Sequence, residues 1–83
     1  MTTAVLIPTK GIEARTLEVG NIISSPHQIS RRDRCVIVGI DRSRLTLLVF
    51  DAIYIEGNHK RVRVEFFVPP DMKFTRWTLR NVI

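Results

Sequence analysis

The chain has 83 residues, 45% hydrophobic and 25% charged, with a formal net charge of +5. That length specifies one small domain, 1–83, whose folding buries only about 60% of the unfolded surface, and its single cysteine excludes an internal disulfide framework. No apolar run approaches the roughly 18 residues of a membrane span, and no basic start followed by an apolar stretch marks a secretory leader, so a cytoplasmic protein with no membrane partner is expected.

In chain order, residues 1–33 read as an N-terminal segment and loop. "AVLI" (4–7) is a short strand ended by Pro8, "IEARTLEV" (12–19) places Ile12, Thr16 and Val19 at near-helical spacing for one helical turn, and "NIIS" (21–24) is extended. "SPHQISRRDR" (25–34) is a polar loop opened by Ser25-Pro26. The signal is stronger over residues 34–80. "CVIVGI", "LTLLVFDAIYI", "RVRVEFFV" and "FTRWTL" are rich in β-branched and aromatic residues, and "DRSR", "EGNH" and "PPDM" separate them with turn chemistry. Four antiparallel strands in an up-and-down meander follow. The fold class is all-β: a small SH3-like barrel or a bent antiparallel sheet of five to six strands, with one short helical turn near the N-terminus.

Loop lengths imply a register. Across "PPDM", Phe67 is expected opposite Phe74, Glu65 opposite Arg76, and Arg61 opposite Arg80. Across "EGNH", Val49 falls opposite Phe66, and across "DRSR", Val36 falls opposite Val49. Val62, Val64, Phe66, Trp77 and Leu79 then share a core face. Asp51 lands on that face, so either a β-bulge turns it outward or it is inward and paired, with the Trp77 indole as one donor. The other face collects Cys35, Ile37, Leu48, Phe50, Phe67 and Phe74 beside Arg61, Arg63, Arg76 and Arg80. It needs a cover, supplied by residues 1–24 or by a second chain.

"TLEVGNII", followed by a loop and "CVIVGIDRSRLTLLVF", resembles the opening of an SH3-like small barrel. The short dense chain is also similar to small accessory proteins of actinobacterial bacteriophages, which implies docking onto a host protein in the host cytoplasm. Neither resemblance carries functional residues with it.

Ten of the 13 basic residues are arginine, and residues 31–83 hold 11 basic against 6 acidic side chains. Arginine grips carboxylate or phosphate with two bonds and stacks on aromatic rings. The candidate partner-binding residues are Arg61, Arg63, Phe67, Phe74, Arg76 and Arg80, with Arg31, Arg32, Arg34, Arg42 and Arg44 as basic loops at the rim. Aromatics beside arginines have the composition of protein-binding hot spots, so a non-enzymatic module docking onto a protein partner is expected. A homodimer through Leu48 and Phe50 is a second form of that idea. A DNA- or RNA-binding barrel is the alternative, with bases on the aromatics and phosphates on the cations. No cofactor is expected. Cys35 lies in a buried-strand context and reads as a small hydrophobe. With His27 and His59 in separate loops it forms no metal set, and no nucleophile–base pair or glycine-rich phosphate loop can be assembled.

Overall fold

The computed structural model describes residues 3–27 and 33–82, the side chain of residue 82 excepted. Six strands make one sheet: β1 (Thr3–Glu13), β2 (Ile22–Ser24), β3 (Arg34–Asp41), β4 (Leu48–Tyr54), β5 (Arg63–Val68) and β6 (Lys73–Val82). A 3-10 turn, Ala14–Thr16, sits at the place expected for a helical turn. The order across the sheet is β1-β6-β2-β3-β4-β5, every neighbour antiparallel. β1 and β5 are its two edges, so the sheet is open: the bent-sheet form of the expected all-β fold, not a closed barrel.

The bend is large. Phe74 on β6 and Phe50 on β4 are separated in the strand order by β2 and β3, yet their ring centroids are 5.9 Å apart. A flat sheet would hold strands three places apart at about 14 Å, so the sheet curls around its inner face. That face is the core. Ile23, Cys35, Ile37, Phe50 and Ala52 are fully buried there, joined by Leu48, Tyr54, Phe66, Val68 and Phe74. Ala14 and Leu17 of the turn segment lie in the same cluster, with Ile12 and Val64 against it.

Two bulges make this alternation work. β1 advances from Thr9 (opposite Arg76) to Ile12 (opposite Phe74), one residue more than β6 does. Gly11, at φ 75°, supplies the left-handed backbone, and Ile12 turns inward instead of out. β3 carries the second, between Ile37 and Gly39, which brings Ile40 opposite Phe50 and against the core.

Several expected pairings are corrected. β6 does not pair with β5; it runs beside β1 and β2, so Phe67–Phe74, Glu65–Arg76 and Arg61–Arg80 are not cross-strand neighbours and the four-strand meander stops after β5. The cause lies in residues 69–72. Pro69 and Pro70 have no N–H to give a hairpin ladder. The carbonyls of Pro70 and Met72 instead accept from the N–H groups of Arg15 and Ala14, at 2.9 and 2.8 Å, which turns the chain toward β1. Between β4 and β5 the register is one residue off expectation, Val49 facing Phe67. Between β3 and β4 it is four off, Val36 facing Ile53, because the connection runs from residue 42 to 47.

The expected core face therefore divides. Val64 and Phe66 do point inward, but Val62 and Leu79 are exposed. The face expected to need a cover is, at Cys35, Ile37, Leu48, Phe50 and Phe74, the core itself, covered by the bend and by residues 12–17. Burial of Leu48 and Phe50 removes the homodimer built on them.

Candidate functional site

The outer face of the sheet carries what remains of the mixed apolar and basic surface. Cross-strand neighbours form one row over all six strands: Arg63 (β5), Ile53 (β4), Val36 (β3), Ile22 (β2), Trp77 (β6) and Pro8 (β1). The four middle side chains are half-buried, whereas Arg63 and Pro8 at the ends are exposed. Cross-strand pairing places each side chain next to its neighbour, giving an apolar stripe over the outside of the bend with a cation at one end.

Charged groups hold both sides of the stripe. Arg34, at the start of β3, lies 4.8 Å from the centroid of Trp77. Its guanidinium forks onto Glu56, Nε to Oε1 at 2.7 Å and a terminal nitrogen to Oε2 at 2.5 Å, while its backbone N–H donates to Oε1 at 3.0 Å. These bonds hold the Glu56 carboxyl below its ordinary range and raise Arg34 above its own. The Trp77 indole N–H donates to Ser24 Oγ at 2.9 Å. Trp77 is thus fixed in orientation, and it is Ser24, not Asp51, that accepts its hydrogen bond.

Asp51 points outward, and neither expected resolution applies: β4 runs without a bulge through residue 51, and its 51–53 side is the outer face of the sheet rather than the core. Arg63 forks onto the Asp51 carboxylate, Nε to Oδ1 at 2.8 Å. The hydrogen bonds from Arg63 lower the Asp51 pKa and raise that of Arg63. Glu65 stands directly opposite Asp51. Two residues beyond Glu65 on the same face of β5, Phe67 is 56% exposed, with the Arg44 guanidinium 5.7 Å from its ring centroid. An exposed aromatic held under a cation is an anchor that loses little rotamer freedom on docking.

Of the sequence-derived candidates, Arg63, Phe67, Arg34 and Arg44 belong to this face, Arg34 as the first residue of β3 rather than in a loop. The others do not join them. Phe74 is buried in the core against Phe50. Arg76 points to the inner face beside Ile23, its Nε buried without a hydrogen-bond partner. Arg80 is on the inner side of β6 opposite Val5, and Arg61 is in the turn before β5 at φ 76°. Arg42 is consumed structurally, donating to the carbonyls of Arg15 (3.2 Å) and Leu17 (2.7 Å) and so clamping the turn segment over the core. Arg31 and Arg32 lie outside the described residues. Sequence reasoning missed Ile22, Val36 and Ile53 as surface residues. Their alternation was visible, but the register that aligns them was not.

The Cys35 thiol is pushed up to about 12 by burial, the state of an inert core side chain. Among the described residues no group of three or more His, Cys, Asp or Glu side chains converges as a metal set, and no helix is long and apolar enough to cross a membrane. No protein-family model matches the chain, and no curated protein or solved structure gives a significant match.

Proposed function

We propose that this chain is a non-enzymatic binding module that docks onto a protein through the outer sheet face, with Phe67 as the exposed anchor and the Ile53–Val36–Ile22–Trp77 stripe as the apolar floor. The six-strand row carries this reading, because a contiguous apolar stripe rimmed by ion-paired arginines has the layout of an interface centre with a polar rim. Arg44, over the Phe67 ring, is the rim group that meets an acidic side chain of the partner. A host protein fits the resemblance to bacteriophage accessory proteins.

Nucleic-acid binding is the weaker reading on charge grounds. Arg34, Arg42 and Arg63 are committed to Glu56, backbone carbonyls and Asp51, which leaves fewer cations for phosphates than the net charge suggests. The two readings differ in salt response, since phosphate contacts release counterions and apolar contacts do not. The test is cross-linking capture from the native cell with the parent chain, Phe67→Ala and Val36→Arg, alongside titration with random oligonucleotides at moderate salt. One captured protein, lost in both variants and retained at raised salt, is expected. Submicromolar oligonucleotide binding that collapses with salt and with Arg44→Ala would reverse the assignment.

A further inference from the structure

Beyond that docking face, the structure assigns a second interaction surface: the free edge of β1, which we infer pairs antiparallel with the same edge of a second copy about a two-fold axis at Val5. One end of the sheet protrudes. β2 meets β6 only at Trp77 and Arg76, so residues 3–7 and 78–82 pair with each other alone, as a two-stranded ribbon running out of the curled body. The molecule measures 46 × 25 × 19 Å, and its 13.0 Å radius of gyration exceeds the about 12 Å of a compact chain this long. Its 5898 Å² of accessible surface also exceeds the about 5100 Å² expected at this mass.

Hydrogen-bond direction fixes which groups the edge offers. Ile37 N–H donates to the Asn21 carbonyl and Ser25 N–H to the Asp33 carbonyl, so the odd residues of β2 bond to β3 and Ile22 faces β6. In an antiparallel ladder such directions alternate. Trp77 therefore bonds to β2, the even residues of β6 bond to β1, and on β1 Thr3, Val5, Ile7 and Thr9 are used. Ala4, Leu6 and Pro8 turn their backbone groups to the open side. Pro8 brings no N–H, as edge proline does, and ends the usable stretch. What remains is Ala4 and Leu6. A two-fold at Val5 sets Ala4 opposite Leu6 of the second copy, and the reverse, so both N–H and both C=O groups on each side are satisfied.

Charge favours the same occupant. Residues 3–9 carry no ionisable side chain although the chain is at +5, whereas the other sheet edge, β5, carries Arg63 and Glu65, the kind of residues that block edge pairing. Two copies of a basic protein can approach along such an uncharged edge. Arg80, opposite Val5 on β6, would lie three strand spacings from its mate, about 14 Å, beyond the about 8 Å screening length at physiological salt. Val5, 37% exposed, gains Val5 of the second copy directly opposite it.

Sedimentation equilibrium of the full chain tests this, with twice the 9.6 kDa chain mass expected. Ala4→Pro removes only an outward N–H and halves that mass while keeping the far-ultraviolet spectrum. Val5→Cys places two thiols at a non-hydrogen-bonded pair, about 4.5 Å between Cα atoms, inside the range for a disulfide, and oxidises to a covalent dimer. Ile7→Cys, whose copies are offset by about 13 Å, does not. A monomer at all concentrations, a species larger than a dimer, or cross-linking of Ile7→Cys as efficient as that of Val5→Cys would overturn the inference. Should Ala4→Pro fail to fold, the cysteine pair alone decides.

Discussion

The curled body and the terminal ribbon share one sheet and one alternating pattern, yet only the body turns that pattern into a core. In β3, β4 and β5 the inward residues Cys35, Ile37, Phe50, Ala52 and Phe66 meet one another across the bend. In the ribbon, Val5 and Ile7 sit on the same inner side, continuous with Thr9 and Arg76, and remain exposed. Alternation specifies which side a residue faces; curvature and a covering segment decide whether that side is dry. A two-stranded ribbon has neither and is marginal alone, so ribbon and body should respond differently to equivalent substitutions.

The largest expected difference is at Phe50. It is fully buried, tilted against Phe74 and opposite Phe66, so it joins β4, β5 and β6 across the bend. Phe50→Ala leaves a cavity that no exposed side chain can fill and should cost about 3–5 kcal/mol, a large share of the stability of a domain this small. Chemical denaturation reads it out. A loss below about 1 kcal/mol would mean that the body is not held by this cluster and that the contrast with the ribbon fails.

The body was the more legible half in the sequence, and the reason is periodic. Within β5 the order Arg63, Val64, Glu65, Phe66, Phe67 divides correctly between faces, because a strand has period two whatever its neighbours are. Which face was core could not follow from that, since it depends on register. The turn over residues 55–62, closed by Arg61 N–H to the Tyr54 carbonyl at 2.8 Å, and the bulges at residues 38 and 10–11 each shift or flip register, and a one-residue slip moves a strand's side chains to the other side. The neighbour of β6 was hidden for a different reason. It is set by bonds from Ala14 and Arg15, some 55 residues earlier in the chain. Phe74 and Arg76 were thereby assigned to the wrong company. Phe67 and Arg63, both on β5, were not.

A smaller effect separates the regions by pH. Glu56 is tied to Arg34 at the end of the body, and that bond depresses its pKa below the ordinary 4.5. A group with a lowered folded pKa contributes stability that is present above its unfolded value and lost as pH falls through its folded value. Unfolding free energy should therefore decline as pH drops below about 4.5, and Glu56→Gln should remove part of that slope. Asp41 and Asp51, held down by Ser43 and Arg63, retain their own share at still lower pH. Arg34, raised in turn by Glu56, stays charged throughout and adds no slope of its own. The ribbon contains no carboxylate between residues 3 and 9 or 76 and 82, so the opening of its amides should be insensitive to the same titration. An acid slope unchanged in Glu56→Gln would show that the Arg34 fork does not bear on folding.

The smallest expected effect is at Leu79. Leu79 pairs with Leu6 on the outer side of the ribbon and is 69% exposed. It has the size and hydropathy of a core residue without a core to enter, because β6 has β1 on one side of it here and no segment of the chain lies across its outer face. Leu79→Ala should then change the global unfolding free energy by no more than about 0.5 kcal/mol, the range for surface positions. It should leave the exchange rates of the Cys35 and Ile37 amides untouched while those of Val5 and Ile7 exchange faster, since local opening of the ribbon does not require the body to open. A global loss approaching that of Phe50→Ala would mean that the ribbon folds back as part of the core. Faster exchange across both regions would mean that they open as one unit, and alternation alone, without curvature, would then be enough to build stability.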